Sequence, residues 1–294
     1  MRKIYVFGGR DDNRIPINSV ESFSWPENAW ALEPGMNVPR STAAAFVYQG
    51  QIFVTGGRIE SSGCADSIEE LNFGEDRKEW VESDIKMPIK CNGHGLVCHE
   101  NIAILTGGHA GDNVSDEIYK IELTPPYTTR LLTQLPEERC FHGCQIVDNE
   151  VVVAGGRTSS CLADTKNTVY AYDINNNGCK TLPPLPFPIS DMACVSYRGN
   201  IILIGGYNEK GETLNTVFMY EVKTGKIKML PCLNHKRSAC TAVITGNVII
   251  VVGGYVHETK TNLDSVECLD LSTNVWKELS PMLEQRGCTT AVLH

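Results

Sequence analysis

Ile4-Tyr5-Val6-Phe7-Gly8-Gly9 has five counterparts further along the chain. They are IFVTGG at 52–57, AILTGG at 103–108, VVVAGG at 151–156, IILIGG at 201–206 and IIVVGG at 249–254. The steps between successive glycine pairs are 48, 51, 48, 50 and 48 residues. A fixed period near 50, with one apolar run and one Gly-Gly per unit, marks a repeat architecture. A unit of that size cannot bury its own apolar faces, so the six must pack on one another.

Each unit contains four strand-like runs. In the sixth, Ser238–Ile244 leads to a turn at Thr245-Gly246, and Asn247–Val252 runs into the glycine pair. Asp264–Leu271 and Val275–Leu279 follow, joined by a turn at Ser272-Thr273-Asn274. Short turns such as Gln49-Gly50, Asp148-Asn149 and Arg198-Gly199 mark the same first hairpin elsewhere. Six four-stranded antiparallel meanders predict an all-β, six-bladed propeller. The first runs are rich in small residues (Ala43-Ala44-Ala45, Gly93 and Gly95, Ala239-Cys240), as strands converging on an axis require. The second runs are apolar on both faces (Val151-Val152-Val153, Ile201-Ile202), which predicts burial between neighbouring blades.

The register also predicts how the ring closes. Arg40, Arg139 and Arg237 each lie 16 residues before the first glycine of a pair, and Arg286 does so if His294 leads directly to Met1. Cys91 and Ile189 hold the position in the other two units. Gly287–His294 is therefore expected as the C-terminal inner strand that closes the first blade beside Lys3–Phe7. That closure leaves no open sheet edge.

Composition narrows the function. A net charge of −9 and a pI near 5.3 argue against a nucleic-acid partner. The apolar runs are strand-length, so no membrane partner is expected. Lys3–Phe7 already reads as a strand, so no signal peptide is expected. Of 12 cysteines, Cys98, Cys144, Cys194, Cys240 and Cys288 occupy corresponding first strands. They are expected as buried, reduced thiols, hence a cytoplasmic location, with the nucleus as the second compartment in view. Cys140, His142 and Cys144 alternate along a strand and so share one face, which would suit zinc. Without a second cysteine pair at fixed spacing, they and the Cys91, His94, Cys98, His99 cluster read as filler. No G-x-S-x-G elbow occurs, and no catalytic residue, metal or cofactor is expected.

An apolar or aromatic residue late in the third run, with Trp seven residues later, is shown by Phe23 with Trp30 and Leu269 with Trp276, whereas the third unit (Pro125-Pro126-Tyr127) lacks the Trp. Tyr172 with Cys179 and Tyr220 with Ile227 keep the spacing with one partner changed, and Trp80 closes the second repeat at a longer spacing. Together with the glycine pairs, this pattern resembles kelch repeats across the whole chain. It implies a single kelch β-propeller over 1–294, with no BTB or BACK region in these residues. The repeat length and the arginine-bearing loops resemble the kelch domains of the BTB-BACK-kelch (kelch-like) proteins. The resemblance implies recognition of a peptide or degron on one propeller face. In that family this is the substrate-recognition part of a cullin-RING ubiquitin ligase adaptor, and the cullin scaffold is reached only through a BTB region. An actin-binding kelch protein and a sugar-active kelch enzyme, of the oxidase or sialic-acid mutarotase type, are the alternatives. A non-enzymatic binding module is the expectation.

In a meander, the loop entering the first strand and the loop leaving the second lie at the same end. The entering positions include Arg40, Ser41, Asn92, His94, Arg139, His142, Asp191, Arg237, Ser238 and Arg286. The positions directly after Gly-Gly are Arg10, Arg58, His109, Arg157, Tyr207 and Tyr255. Arginine suits bidentate capture of carboxylates or phosphates. A peptide-binding ring is therefore expected from Arg10, Arg58, His109, Arg157, Tyr207 and Tyr255, with Arg40, Arg139, Arg237 and Arg286 beside them. Its partner is expected to be an acidic or phosphorylated segment of a protein substrate. The four recurrent entering-loop arginines have a second reading, as bonds to a neighbouring blade's carbonyls. Asp11, Asp12, Glu60, Asp112 and Glu212 lie in the same loops as counter-charges.

Overall fold

The computed structural model describes residues 2–59, 63–74 and 77–294. Six four-stranded antiparallel sheets form a closed six-bladed β-propeller. Blade 1 runs, from the axis outward, Thr290–Leu293, Lys3–Phe7, Val20–Ser24 and Ala29–Glu33. Blade 2 is Ala44–Tyr48, Gln51–Thr55, Ile68–Phe73 and Lys78–Glu82, and blade 3 is Gly95–His99, Ile102–Thr106, Glu117–Glu122 and Thr129–Gln134. Blade 4 is Gly143–Val147, Glu150–Ala154, Val169–Asp173 and Gly178–Leu182. Blade 5 is Ala193–Tyr197, Asn200–Ile204, Val217–Glu221 and Ile227–Leu230, and blade 6 is Thr241–Thr245, Val248–Val252, Val266–Asp270 and Val275–Leu279. The closure is as expected: Ile4 pairs with Leu293 and Phe7 with Thr290.

The second strands bury both faces because each lies between two neighbouring blades. Ile4 and Val6 pack with Val243, Ile250 and Val252 of blade 6, whereas Tyr5 and Phe7 pack with Ile52, Val54 and Trp80 of blade 2. Alternate residues of one strand thus serve two different cores. The seven-residue spacing is the hairpin register itself: Phe23 sits opposite Trp30, Tyr172 opposite Cys179 and Leu269 opposite Trp276. The indole N–H then latches the blade before. Trp30 donates to the Ser280 carbonyl, Trp80 to Pro34 and Trp276 to Pro231, each at 2.8 Å.

The glycine pairs join the blades. The second glycine's amide donates to the main-chain carbonyl of the register residue in the next blade. The distances are 3.0 Å for Gly9 to Arg40, 2.9 Å for Gly57 to Cys91, and 2.8 Å for Gly108 to Arg139. Gly156 to Ile189 and Gly206 to Arg237 are 2.8 Å, and Gly254 to Arg286 is 3.0 Å. The same carbonyl lies against the first glycine: a Cβ on Gly107 would stand 2.1 Å from the Arg139 oxygen, and the backbone there has φ +56°. Only a residue without Cβ fits both constraints. Because the lock uses a main-chain oxygen, Cys91 and Ile189 serve it as well as arginine does.

Nearer the axis, a second set of bonds closes on itself. Thr42, Gly93, Phe141, Asp191, Ala239 and Cys288 all have positive φ, between 48° and 59°. Each amide donates to the carbonyl of its counterpart one blade back: Gly93 to Thr42, Phe141 to Gly93, Asp191 to Phe141, Ala239 to Asp191, Cys288 to Ala239 and Thr42 to Cys288, at 2.7–3.0 Å. Five of the six are not glycine, so the left-handed backbone costs about 1–2 kcal/mol at each of those positions. The ring holds the six blades in that geometry. It also shortens the expected first strand of blade 6, which begins at Thr241 rather than Ser238 because Ala239 belongs to the ring.

Inside the ring the axial channel narrows to a throat of about 120 Å³ and continues as a section of about 240 Å³. Small residues line it where bulk cannot pass: a Cβ on Gly95 would meet Thr106, Cys144 and His142 at 2.5–2.6 Å. His94 and His142 face this channel, and their Nε2 atoms lie 3.2 Å from Thr55 Oγ1 and 2.9 Å from Thr106 Oγ1. Burial lowers the two imidazoles from 6.5 to about 4 and about 3, so both are neutral near pH 7.

Two predictions follow from these contacts. Gly199 also has positive φ, +76°, but a Cβ there meets nothing within 4 Å. In urea unfolding, Gly199→Ala is expected to cost about 1 kcal/mol of backbone strain. Gly107→Ala adds the clash with Arg139 and is expected to cost more than about 3 kcal/mol; equal losses would refute the steric lock. The histidines make stability pH-dependent. The unfolded chain takes up their protons near pH 6.5 but the folded chain only near 4 and 3. Their contribution is therefore complete above about pH 6.5 and is lost as pH falls, by up to about 1.4 kcal/mol per pH unit for each histidine. Thermal midpoints measured from pH 7 to 4 should fall less steeply for His94→Gln/His142→Gln than for the parent; parallel curves would contradict the neutral buried state.

Candidate functional site

The residue after each glycine pair is anchored by its own main chain and lies at the propeller's end face. Arg58 and Ser41 exchange both amide bonds, at 2.8 and 2.9 Å. His109 with Asn92, Arg157 with Cys140, Tyr207 with Ser190 and Tyr255 with Ser238 repeat the pattern, and Arg10 pairs with Gly287. The two loop sets therefore share one end of the barrel-like ring, as the meander predicts.

The recurrent entering-loop arginines do not reach that surface. Arg40, Arg139, Arg237 and Arg286 are 0–1% exposed. Arg40 Nη1 donates to the carbonyls of Gly56 at 2.7 Å and Ser67 at 3.1 Å, while Nη2 meets Ser67 Oγ at 3.1 Å and Glu69 Oε1 at 2.9 Å. Arg237 repeats this set on Gly253, Ser265 and Glu267, and Arg286 repeats it on Gly8, Ser19 and Glu21. Arg139 uses Gly155, Thr168 and Glu137. Each of these arginines ties its blade to the preceding one through its carbonyl and grips the glycine turn of its own blade through its side chain. Their expected place beside a ligand is thus corrected: they hold the loops that a ligand would touch. The partner motif, Ser19-x-Glu21, Ser67-x-Glu69 and Ser265-x-Glu267, places its glutamate 13 or 14 residues after the first glycine of its blade and is readable in the sequence.

A cavity of about 440 Å³ opens on the end face. It gathers Arg10, Arg58, His109 and Arg157 from four blades, and it adds Arg14, Phe141 and Asp191, which the sequence reading had not placed in the binding ring. Arg157 is 8% exposed. Its guanidinium lies 4.3 Å from the Phe141 ring centroid and 3.0 Å from Asp191 Oδ2, and Nη1 donates to Ser160 O at 3.2 Å. Burial pushes the Asp191 carboxyl up, against the opposing pull of Arg157. Arg10 donates to Cys288 Sγ at 2.7 Å. His109 is held below its ordinary value, first by burial and then by Arg157. Arg14 and Arg58 are exposed at the rim.

The expected ring is therefore divided. Tyr207 and Tyr255 do not line this cavity; they meet the His257 ring edge-on at 5.9 and 6.4 Å, on the blade 5 and 6 side. Tyr207 is 8% exposed, and burial pushes its phenol up. Among the counter-charges, Asp11 accepts the Ile15 amide at 2.8 Å, Asp12 binds the Asn262 amide and side chain, and Glu212 accepts from Asn208. Asp112 raises His109 against the larger lowering effects. Glu60 lies outside the described residues.

The cysteine expectations need two corrections. All 12 are free, but Cys98, Cys144 and Cys194 are half-buried rather than buried, because the first strands converge on the open axis. Burial nonetheless raises these three thiols. Cys140 does not share a strand face with His142 and Cys144: it precedes the strand Gly143–Val147, and Phe141 with φ +55° breaks the alternation. Among the described residues, no group of three or more His, Cys, Asp or Glu side chains could hold a metal ion. Among the described residues, no helix is long and apolar enough to cross a membrane.

Comparison with known proteins agrees with this architecture. The KLHDC2/KLHL20/DRC7 kelch-repeats domain matches residues 1–156 and 93–293. Alpha-scruin of Limulus polyphemus is 26% identical over 220 residues, covering 68% of this chain and 23% of scruin. Kelch-like protein 41b of Danio rerio is 26% identical over 214 residues, covering 70% of this chain and 34% of its own length. Kelch repeat and BTB domain-containing protein 1 of vaccinia virus (strain Copenhagen) is 26% identical over 183 residues, covering 61% and 31%. The aligned part is thus about a quarter to a third of each relative. With the family match spanning nearly the whole chain and the blades built as described, the chain belongs to the kelch-repeat family.

Proposed function

We propose that this propeller is a protein-interaction module whose end face recognises an acidic or phosphorylated peptide segment. One observation carries the reading. Arg10, Arg14, Arg58, Arg157 and His109 converge on a single cavity in a chain whose net charge is −9. A concave site lined by guanidinium groups on a rigid scaffold suits bidentate binding of carboxylate or phosphate. The cavity also contains Phe141 and the buried Asp191, which already occupies Arg157. Arg58 and Arg14 lie exposed at the rim, and Arg10 lies deeper.

The likeness to kelch-like proteins and to a viral protein named for its kelch repeat and BTB domain supports a narrower role. The propeller would present substrates to a ubiquitin ligase when joined to a BTB region that binds a cullin, in the cytoplasm or nucleus. No feature of the described residues favours actin over other partners.

Affinity capture with the isolated propeller, followed by mass spectrometry and calorimetry on the captured segment, tests the proposal. Arg14→Ala/Arg58→Ala removes exposed side chains, so the fold should be unchanged. Each contact is worth roughly 1–3 kcal/mol if desolvated on binding, so affinity is expected to fall more than tenfold. Arg157→Ala alone is a poor probe because it strands the Asp191 carboxylate; Arg157→Met with Asp191→Asn avoids that. Unchanged affinity in the Arg14/Arg58 variant would place the site elsewhere.

A further inference from the structure

Beside the arginine cavity lies a second hollow, a groove of about 790 Å³ between the loops of blades 1 and 2. Its apolar walls are Ile15, Pro16, Val38, Pro39 and Ile59. Arg10, Arg14 and Arg58 line both hollows, so the groove and the cavity are continuous through three shared cations. We propose that the pair forms one bipartite peptide site: the cavity takes a carboxylate or phosphate, and the groove takes a branched aliphatic or aromatic side chain from the same segment. This rests on the acidic-peptide reading above and adds its second determinant.

Three features support the assignment. Ile15 is 58% exposed at the tip of a loop, where a solvated polar residue would cost nothing. That loop is built rather than slack. Asp11 and Ile15 are joined by N–H to carbonyl and N–H to carboxylate bonds at 3.1 and 2.8 Å, Arg14 donates its amide to Asp11 O at 3.0 Å, and Arg10 bridges Pro16. The side chain of Ile15 is thus presented with little further ordering to do on binding, which favours affinity. Finally, the opposite wall contains two residues with restricted backbones, Pro39 and the adjoining Val38, whose amide is held by Glu69 at 3.1 Å. Glu69 is itself gripped by Arg40, so the buried register arginine shapes the groove without touching its occupant.

Spacing follows from the shared arginines. An extended segment advances about 3.3 Å per residue and returns side chains to one face every second residue. Two adjoining subsites that share three arginine side chains suit an acidic residue and an apolar residue two to three positions apart. The groove also selects against a run of acidic residues, which would have to desolvate a second charge against its apolar walls.

The test is an array of synthetic nine-residue peptides with a central Glu, phosphoserine or Ala. In each set, one flanking position at a time is changed from Ser to Leu. The parent propeller is expected to bind Glu or phosphoserine peptides at least fivefold more tightly when Leu stands two or three positions away on one side. Ile15→Ser and, separately, Val38→Ser should flatten that Leu preference while keeping the preference for a central acid. Arg14→Ala/Arg58→Ala should lose the acid preference itself. Acid-dependent binding with no Leu preference in the parent, or a Leu preference untouched in both groove variants, would overturn the bipartite site and leave the broader proposal standing. Binding indifferent to the central acid would sink both. Vesicles of phosphatidylserine bound by the parent but not by Ile15→Ser, with no peptide selected, would mark the patch as a lipid contact and refute the inference.

Discussion

Everything in this propeller depends on a main-chain oxygen pressed against a glycine pair. The carbonyl of each register residue accepts the amide of the second glycine and blocks any Cβ on the first. The bond joins each blade to the next, so the register of one blade sets the register of its neighbour around the ring. A short-range steric rule thereby becomes a global constraint, and six repetitions of it close the circle. Beside it, the αL ring at the channel mouth stores backbone strain at five non-glycine positions, which only the closed circle can sustain.

The same lock separates the arginines it buries from those that line the opening. Three register arginines turn inward onto a Ser-x-Glu pair, and their carboxylate partners also accept loop amides, as Glu267 does from Asn234 and His235. These fully buried pairs, Arg237–Glu267 and Arg286–Glu21 among them, hold the loops in shape. Replacing a whole pair by apolar groups could be neutral, but removing one partner would leave a stranded charge. The arginines directly after Gly-Gly, one position past the lock, face the opening instead. Two classes of the same residue type therefore take opposite environments, buried or at the opening, and the register position distinguishes them.

Much of this was legible in the sequence, and the reasons are local. The period of the glycine pairs gave the blade count, apolar second strands on both faces gave the burial between blades, and the Phe23–Trp30 spacing is a hairpin register. Arg286, read around the termini, gave the closure. What stayed hidden needs three dimensions. The αL ring contains Thr42, Phe141, Asp191, Ala239 and Cys288, none of which announces positive φ. For that reason strand alternation does not extend back to Cys140 and His142, and the first strand of blade 6 begins three residues after the expected Ser238. Arg14 was passed over because it lies within a loop rather than at a repeat position. The two readings of Arg40 and its counterparts could have been separated by the recurring Ser-x-Glu, a co-periodic acidic partner that marks an internal pair.

The central claim is that ligands meet this propeller at the cationic end face, on loops held by the buried arginines. Hydrogen–deuterium exchange with and without a tightly bound acidic peptide tests it most directly. The account predicts slowed exchange in the loops that follow Gly9, Gly57, Gly108 and Gly156, with the hairpin turns at Asp148–Asn149 and Arg198–Gly199 on the opposite face unchanged. Protection confined to those opposite turns, with the end-face loops exchanging as before, would contradict it.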